Sequence, residues 1–346
     1  MNLDKIRLNS KVISLKKYLR PLGYRRAYVI TFWLTHHCVY SCKYCLLESN
    51  SGPFLPKETV FKITKESLPL RLNMVDITGG ECMLHPDFEE IVNFTAKHTK
   101  LVGIHTTGRL LNKDILKRIT DGNKNLFWYL TIMSSDREIN DRYRAKGALD
   151  DVIGSAKLLG EFNQKLKVHI NLVPEGLRRL EETIQFAFEE LNATAVTTEP
   201  VSPMGRAAKN AKEVILSDLQ LYQSYVTLTN QIAKWKNKGK TLAPCNVLEG
   251  YPQKCISLEA FVGFNVHPAG NMNPCCYFTN ADCSIGNVED GVRKVGSLSR
   301  LLKLEKLMAP THCNVEERVN KVGIWSCYEC VCNFQTHVKG MTEYRK

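Results

Sequence analysis

The chain has 346 residues, of which 44% are apolar and 24% charged, so it has the material for a large core and is not intrinsically disordered. Its formal net charge of +12 suits an anionic substrate, a nucleic acid or an acidic peptide, although a Lys-rich solvated surface is the simpler explanation. The first 30 residues contain no apolar run of the length that a signal peptide or a membrane span requires, so we expect a cytoplasmic protein without membrane association.

Apolar runs of strand length alternate with helix-like stretches along the first two thirds of the chain. Strands are predicted at 27–34, 74–78, 100–106, 126–133, 166–173 and 194–199. Helices are predicted at 57–70, 86–98, 113–120, 149–162, 179–190 and 216–237. Six strands alternating with helices indicate a parallel α/β sheet or an incomplete barrel. Such folds bind ligands at the carboxyl ends of their strands.

The same pattern suggests four regions along the chain. A basic extension at 1–26 precedes an α/β core at 27–210, and a linking helix at 211–240 leads to a cysteine-rich region at 241–346. The thirteen cysteines are grouped at short spacings in a long chain without an export signal. They are therefore predicted to be metal ligands rather than disulfides.

Three of these cysteines lie within eight residues on the loop after the first strand. The segment THHCVYSCKYCLLES places Cys38, Cys42 and Cys45 at the spacing C-x3-C-x2-C. Such a loop can direct three thiolates at three irons of an iron-sulfur cluster and leave one iron open for chemistry. The alternative is a structural zinc site in which His36 or His37 supplies the fourth ligand.

The cysteine triplet, together with Gly79-Gly80-Glu81 after the second strand, resembles the radical S-adenosylmethionine (SAM) superfamily over about residues 27–205. The resemblance implies a partial (β/α)6 TIM-like barrel. It also implies a [4Fe-4S] cluster on the three cysteines, whose open iron binds SAM. Reductive cleavage of SAM would then give a 5'-deoxyadenosyl radical that abstracts hydrogen from a substrate.

The resemblance also implies which residues bind SAM. Tyr44, just before the third cysteine, would lie against adenine, and Gly79, Gly80 and Glu81 would bind the methionyl amino group. Glycines let the backbone approach closely, and a carboxylate suits an ammonium group. A Gly-Gly-Glu stretch is otherwise an ordinary turn. Its position after the second strand favours the functional interpretation.

Two more SAM contacts follow from a weaker match. The stretch INDRYRAKGALDDVI after Ser134 resembles the family's His-Asp-x-x-Arg-Gly, so Ser134 and Arg144 would contact the ribose or carboxylate of SAM. Asn140 replaces the usual His, and Thr-Thr-Gly at 106–108 replaces the commoner Thr-Asn-Gly. A capping serine and a solvated arginine are the alternatives.

Two further features border the predicted SAM site. The turn at 203–207 resembles one that often lies beside SAM. Cys82 follows the Gly-Gly-Glu stretch and is a candidate hydrogen donor to a substrate radical. Such a cysteine is more often a small buried apolar residue.

Nine more cysteines lie beyond residue 240, in an order that resembles the SPASM and twitch extensions of radical SAM enzymes. The resemblance implies one or two auxiliary [4Fe-4S] clusters, although the full SPASM spacing C-x2-C-x5-C-x3-C is absent. The predicted ligands of the first cluster are Cys255, Cys275, Cys327 and Cys330. The candidates for a second cluster or alternate ligands are Cys245, Cys276, Cys313 and Cys332. A zinc ribbon is the alternative.

Three functions are compatible with these features. The first is radical modification of a peptide or protein side chain, with electrons from a flavodoxin- or ferredoxin-type reductant. The second is radical oxidation or decarboxylation of a small anionic metabolite such as a sugar, aminocyclitol or tetrapyrrole, which the positive charge favours slightly. The third is a non-enzymatic zinc or nucleic-acid module. It is disfavoured because the aromatic residues fall within strand patterns such as LFWYL rather than among basic residues.

Overall fold

Strands and helices alternate through a computed structural model that describes residues 29–70, 72–244, 248–249, 263–273, 284, 286–291 and 324–325. The first six strands are β1 (Val29–Trp33), β2 (Met74–Thr78), β3 (Leu101–Thr106), β4 (Leu126–Ile132), β5 (Lys165–Leu172) and β6 (Ala195–Pro200). The helices between them are α1 (Lys57–Ser67), α2 (Phe88–His98), α3 (Lys113–Thr120), α4 (Arg137–Tyr143), α5 (Ala148–Glu161) and α6 (Leu180–Glu189). Short 3-10 turns cover Leu68–Leu70, Cys82–Leu84 and Gly176–Arg179.

Shorter elements follow the sixth strand. The helices are α7 (Gly205–Lys209), α8 (Ala211–Val214) and α9 (Asp218–Asn237), and a 3-10 turn covers Val288–Asp290. The strands are β7 (Thr241–Pro244), β8 (Leu248–Glu249), β9 (Gly263–Val266), β10 (Asn271–Asn273), β11 (Gly286–Asn287) and β12 (Ile324–Trp325).

The strands β1 to β6 pair in parallel in the order of the sequence, and α-helices connect them. All six were predicted within two residues of their observed ends, because each is a marked apolar run bounded by polar turns. The predicted α/β class is therefore confirmed, with the strand order expected of a partial (β/α)6 barrel.

Residues alternate between two environments along these strands. On one face, side chains such as Ile30, Ile77 and Val168 are fully buried in the main core. On the other face, polar and charged side chains such as Asp76 and Lys167 are only partly buried. A period of two places alternate residues on opposite faces of a strand. The helices therefore cover the apolar face, and the inner face of the sheet is polar.

The sheet continues on both sides of the six strands. On one side β7 pairs in parallel with β6. On the other side β9 pairs in parallel with β1, and β10 and β11 follow in antiparallel pairing. Strands from both sides of residue 240 thus belong to one sheet. The domain limits at 26, 210 and 240 stay predictions.

Near its end, the helix α9 packs on the core through an aromatic side chain. It begins with a capping box formed by Ser217 and Gln220. Trp235, 2% exposed, packs against Phe188 of α6 with ring centroids 4.5 Å apart and donates from Nε1 to Gln231 at 3.2 Å.

Among the helices that the structure describes, none has the length and apolarity needed to cross a bilayer.

Replacing Trp235 with Ala is expected to lower the free energy of unfolding by about 3–5 kcal/mol, because it leaves a large cavity between α9 and α6. Leu219 lies on the same helix but is 66% exposed, so Leu219→Ala is the matched control and is expected to change it by less than about 0.5 kcal/mol. Urea denaturation followed by circular dichroism measures both. Equal losses in the two variants would contradict this anchoring role.

Candidate functional site

A cavity lies at the carboxyl ends of the strands and has about 1080 Å³ of empty space, its open mouth included. One wall comes from the cysteine loop after β1, and the others come from the ends of β2 to β6. The predicted site residues among its lining are Cys38, Cys42, Tyr44, Cys45, Gly79, Gly80 and Arg144.

The three cysteines of the loop all line this cavity as free thiols. Backbone N–H groups of Tyr40 and Leu47 donate to the sulfurs of Cys38 and Cys45 at 3.5 and 3.4 Å. Burial raises the pKa of the Cys38 thiol to about 11 and also raises the pKa of Cys45. Thiolates at these positions therefore need positive partners, which a metal cluster and nearby cations supply.

Two arginines provide positive charge beside the thiols. The Arg144 guanidinium is 5% exposed, lies within hydrogen-bond reach of Cys42 and donates to the carbonyl oxygen of Thr131. Its Nε has no hydrogen-bond partner among the described residues. Arg206 lies beside Cys45 and lowers its pKa against the effect of burial. Three soft thiolate donors flanked by two guanidinium groups fit an anionic iron-sulfur cluster.

A single metal ion would need a tighter set of ligands than a cluster with several irons. Within the described part of the chain, no three His, Cys, Asp or Glu side chains are arranged to hold one metal ion.

The two glycines after β2 are required by close backbone contact with the cysteine loop. Gly80 N donates to Thr35 O at 2.8 Å, and the next residue's N–H donates to His37 O at 2.7 Å. A Cβ on Gly79 would overlap the carbonyl oxygen of Thr35, and a Cβ on Gly80 would overlap that of His37. Gly79 also has φ of +153°, which side chains rarely allow. The glycine turn thus holds the residues just before Cys38.

Glu81 belongs to the same turn, but its carboxylate is fully buried and is not part of the cavity lining. It accepts hydrogen bonds from Thr106 Oγ1 at 2.9 Å, Thr107 N at 2.8 Å, Thr107 Oγ1 at 2.6 Å and Met83 N at 3.2 Å. The side chain therefore fixes the turn after β3, whose two threonines do line the cavity.

The structure does not bring two other predicted residues to the cavity. Ser134 is fully buried, and its Oγ accepts from Asp136 N at 3.1 Å, which is a turn contact just before α4, whose N-cap is Asp136. The Cys82 thiol lies in the main core and donates to His105 O at 3.2 Å. Burial raises its pKa well above the usual value. The structure thus places Cys82 as a small buried apolar residue outside the cavity lining, and its role as a hydrogen donor stays untested.

The sequence interpretation missed the polar side chains that the strands themselves place in the cavity. The lining includes His105 of β3, His169 and Asn171 of β5, and Glu199 of β6. Nε2 of His169 lies 3.3 Å from Asn171 Oδ1 and 3.4 Å from Glu199 Oε2, and Nε2 of His105 lies 3.5 Å from Asp76 Oδ1. The available signal was polar residues at period two within strands such as LKVHINLV.

The nine cysteines beyond residue 240 lie outside the described residues. The auxiliary-cluster ligands Cys255, Cys275, Cys327 and Cys330, and the candidates Cys245, Cys276, Cys313 and Cys332, therefore stay predictions. The nearby strand β9 is described, and its Asn265 accepts from Trp33 Nε1 at 3.3 Å. This part of the tail thus lies beside the strand that leads into the cysteine loop.

The sequence profile of the Radical SAM superfamily matches residues 34–187. The antilisterial bacteriocin subtilosin biosynthesis protein AlbA of Bacillus subtilis strain 168 is 24% identical over 294 residues, which cover 82% of this chain and 63% of AlbA. A PqqA peptide cyclase of Granulibacter bethesdensis is 23% identical over 251 residues, which cover 70% of this chain and 66% of that protein. The chain therefore spans just under two thirds of the length of these relatives.

Solved structures share the fold. SuiB of Streptococcus suis bound to its precursor peptide SuiA superposes with a TM-score of 0.65 at 16% identity, over 86% of this chain and 70% of SuiB. Native anSMEcpe with bound AdoMet and the Kp18Cys peptide gives 0.64 at 14% identity, over 81% of this chain and 83% of that one. At these identities the likeness establishes the fold, in agreement with the partial barrel predicted from the sequence.

Replacing Gly80 with Ala is expected to lower the free energy of unfolding by about 1–3 kcal/mol, because the added methyl group overlaps backbone rather than a flexible side chain. Gly154 lies in α5 with open space around it, so Gly154→Ala is the matched control and should raise stability by about 0.5–1 kcal/mol. Urea denaturation of the two variants measures the difference. A Gly80→Ala protein as stable as the native one would refute the close contact.

Proposed function

We propose that this chain, whose residues 34–187 match the sequence profile of the radical SAM superfamily, is an enzyme of that superfamily that cleaves SAM reductively and abstracts hydrogen from a peptide or protein substrate. The observation that carries the proposal is the set of three free thiols on one loop, lining a cavity together with the glycine turn after β2. When bound, a [4Fe-4S] cluster supplies the electron that cleaves SAM into methionine and the 5'-deoxyadenosyl radical.

Different residues of the cavity bind the cluster and the different parts of SAM. The thiols of Cys38, Cys42 and Cys45 hold three irons. The backbone of the glycine turn lets the methionyl amino group come close, since no side chain intervenes. Arg144 binds the carboxylate of SAM. Its buried Nε supports this role, because that atom has no hydrogen-bond partner among the described residues. Tyr44 packs against adenine.

Glu81 and Ser134 have an indirect role in this proposal. Their side chains hold the turns after β3 and β4, as the hydrogen bonds that they accept from Thr107 N and Asp136 N indicate. They position the groups that contact SAM instead of contacting it themselves.

The substrate contacts the polar side chains that β5 and β6 place in the cavity. Comparison supports a peptide, because the relatives include a subtilosin biosynthesis protein and PqqA peptide cyclases, and SuiB was solved with a precursor peptide. The imidazole, amide and carboxylate groups of His169, Asn171 and Glu199 can hydrogen-bond a peptide backbone and accept a proton that a substrate radical releases.

The remaining components complete the proposed enzyme. The cysteines beyond residue 240 hold at least one auxiliary [4Fe-4S] cluster, which accepts an electron or binds substrate. A flavodoxin- or ferredoxin-type protein supplies reducing electrons. The enzyme works in the cytoplasm, where thiols remain reduced.

SAM cleavage can be tested without knowing the substrate. Protein reconstituted anaerobically with iron and sulfide, then given SAM and dithionite, is expected to form 5'-deoxyadenosine, which liquid chromatography measures. Cys42→Ala should reduce the product to background because one iron loses its ligand. Cys82→Ala is the matched control and should retain formation, since this thiol lies in the core away from the cavity. Native protein that binds no iron would refute the proposal.

The substrate class can be tested by coexpression. The chain would be coexpressed with each short peptide encoded beside its gene, with the Cys42→Ala variant as the parallel control. High-resolution mass spectrometry is expected to show a mass change in one peptide that depends on the native protein. If no peptide changes while 5'-deoxyadenosine still forms with the purified protein, the small-anion alternative replaces the peptide substrate.

A further inference from the structure

The turn after β6 is bonded directly to the cysteine loop, although about 160 residues separate the two in sequence. Arg206 N donates to Leu47 O at 3.2 Å, and Ala207 N donates to Cys45 O at 3.2 Å. Gly205 precedes them with φ of +54°, and a Cβ there would overlap the carbonyl oxygen of Leu46. The backbone of this turn therefore lies against the residues that follow the third cysteine.

The Arg206 side chain links two further points of the same loop. Its Nε donates to Cys42 O at 3.0 Å, and its Nη1 donates to Asn50 Oδ1 at 2.9 Å. Asn50 in turn donates from Nδ2 to Tyr40 O at 2.9 Å. One guanidinium group thus connects the residue between the first two cysteines, the second cysteine and the end of the loop.

The same group places positive charge on the thiols. Arg206 lies within hydrogen-bond reach of the Cys45 side chain and lines the cavity. A guanidinium stays protonated at any pH at which the protein is folded. In a partly buried setting its field is weakly screened by salt. Addition of one electron to a cluster on these thiolates would therefore be favoured by Arg206.

We propose that Arg206 is a positioning residue that fixes the Cys42–Cys45 segment and raises the reduction potential of the cluster held there. The inference rests on the proposed function and deepens it. Charge and geometry make separate contributions. The positive charge sets the potential, and the hydrogen bonds to Cys42 O and Asn50 Oδ1 set how firmly the loop holds iron.

Two variants separate these contributions in the reconstituted full chain. Arg206→Gln removes the charge, and Arg206→Lys keeps it but cannot reproduce the forked contact to two acceptors. Arg118→Gln is the matched control for loss of charge, because Arg118 pairs with Glu89 at 2.6 Å and does not line the cavity. The midpoint potential is measured by redox titration with electron paramagnetic resonance detection, and iron retention by transfer to a chelator.

In Arg206→Gln the equilibrium constant for reduction is expected to fall at least about tenfold, because one Coulomb interaction at about 4 Å changes an equilibrium about fivefold in water and more near protein. A tenfold change in a one-electron couple corresponds to a shift of about 59 mV. Arg206→Lys should keep a potential near the native value but lose iron faster. Arg118→Gln should match the native protein in both measurements.

If Arg206→Gln and Arg118→Gln have equal midpoint potentials, the effect of charge is overturned. If Arg206→Lys retains iron as long as the native protein does, the positioning role is overturned. Native protein that shows no reducible cluster would instead refute the proposed function. The two failures are therefore distinguishable. Thermal unfolding of the apo variants provides the check on folding.

Discussion

Close backbone contact around the cysteine loop is the constraint on which the cavity depends. The glycine turn and the turn after β6 both donate backbone hydrogen bonds to the loop after β1. The acceptors are Thr35 O and His37 O for the first turn, and Cys45 O and Leu47 O for the second. Glycine at 79, 80 and 205 makes both approaches sterically possible. The loop that carries the three thiols is therefore held by main-chain atoms from the ends of β2 and β6.

The division of the sheet into an apolar and a polar face explains how one barrel supports both folding and chemistry. Helices bury the outward side chains, so stability comes from residues such as Phe32 and Trp128, which contact no part of the cavity. The inward side chains are then free to be polar. Glu199 and His169 can have a chemical role because the core does not depend on their packing.

The sequence predicts those parts of this arrangement that are local. The six strands are apolar runs with regular alternation, and the cysteine triplet and glycine turn each lie within eight residues. Contacts between distant segments carry no such signal. Arg206 is hydrogen-bonded to Asn50, which is 156 positions away in the sequence, and Trp33 is hydrogen-bonded to Asn265, which is 232 positions away. The buried carboxylate of Glu81 escaped prediction for a similar reason, since burial depends on packing that spacing does not encode.

The pairing of β9 with β1 links the strand that precedes the cysteine loop to a later part of the chain. During synthesis, β1 has an unpaired edge on that side until residues 263–266 have left the ribosome, and an unpaired edge can bind other strands. Parallel pairing across so long a separation also forms slowly. The cysteine loop thus acquires this neighbouring strand only after the first six strands have been synthesised, so the barrel is completed at this edge by a segment that follows it in the chain.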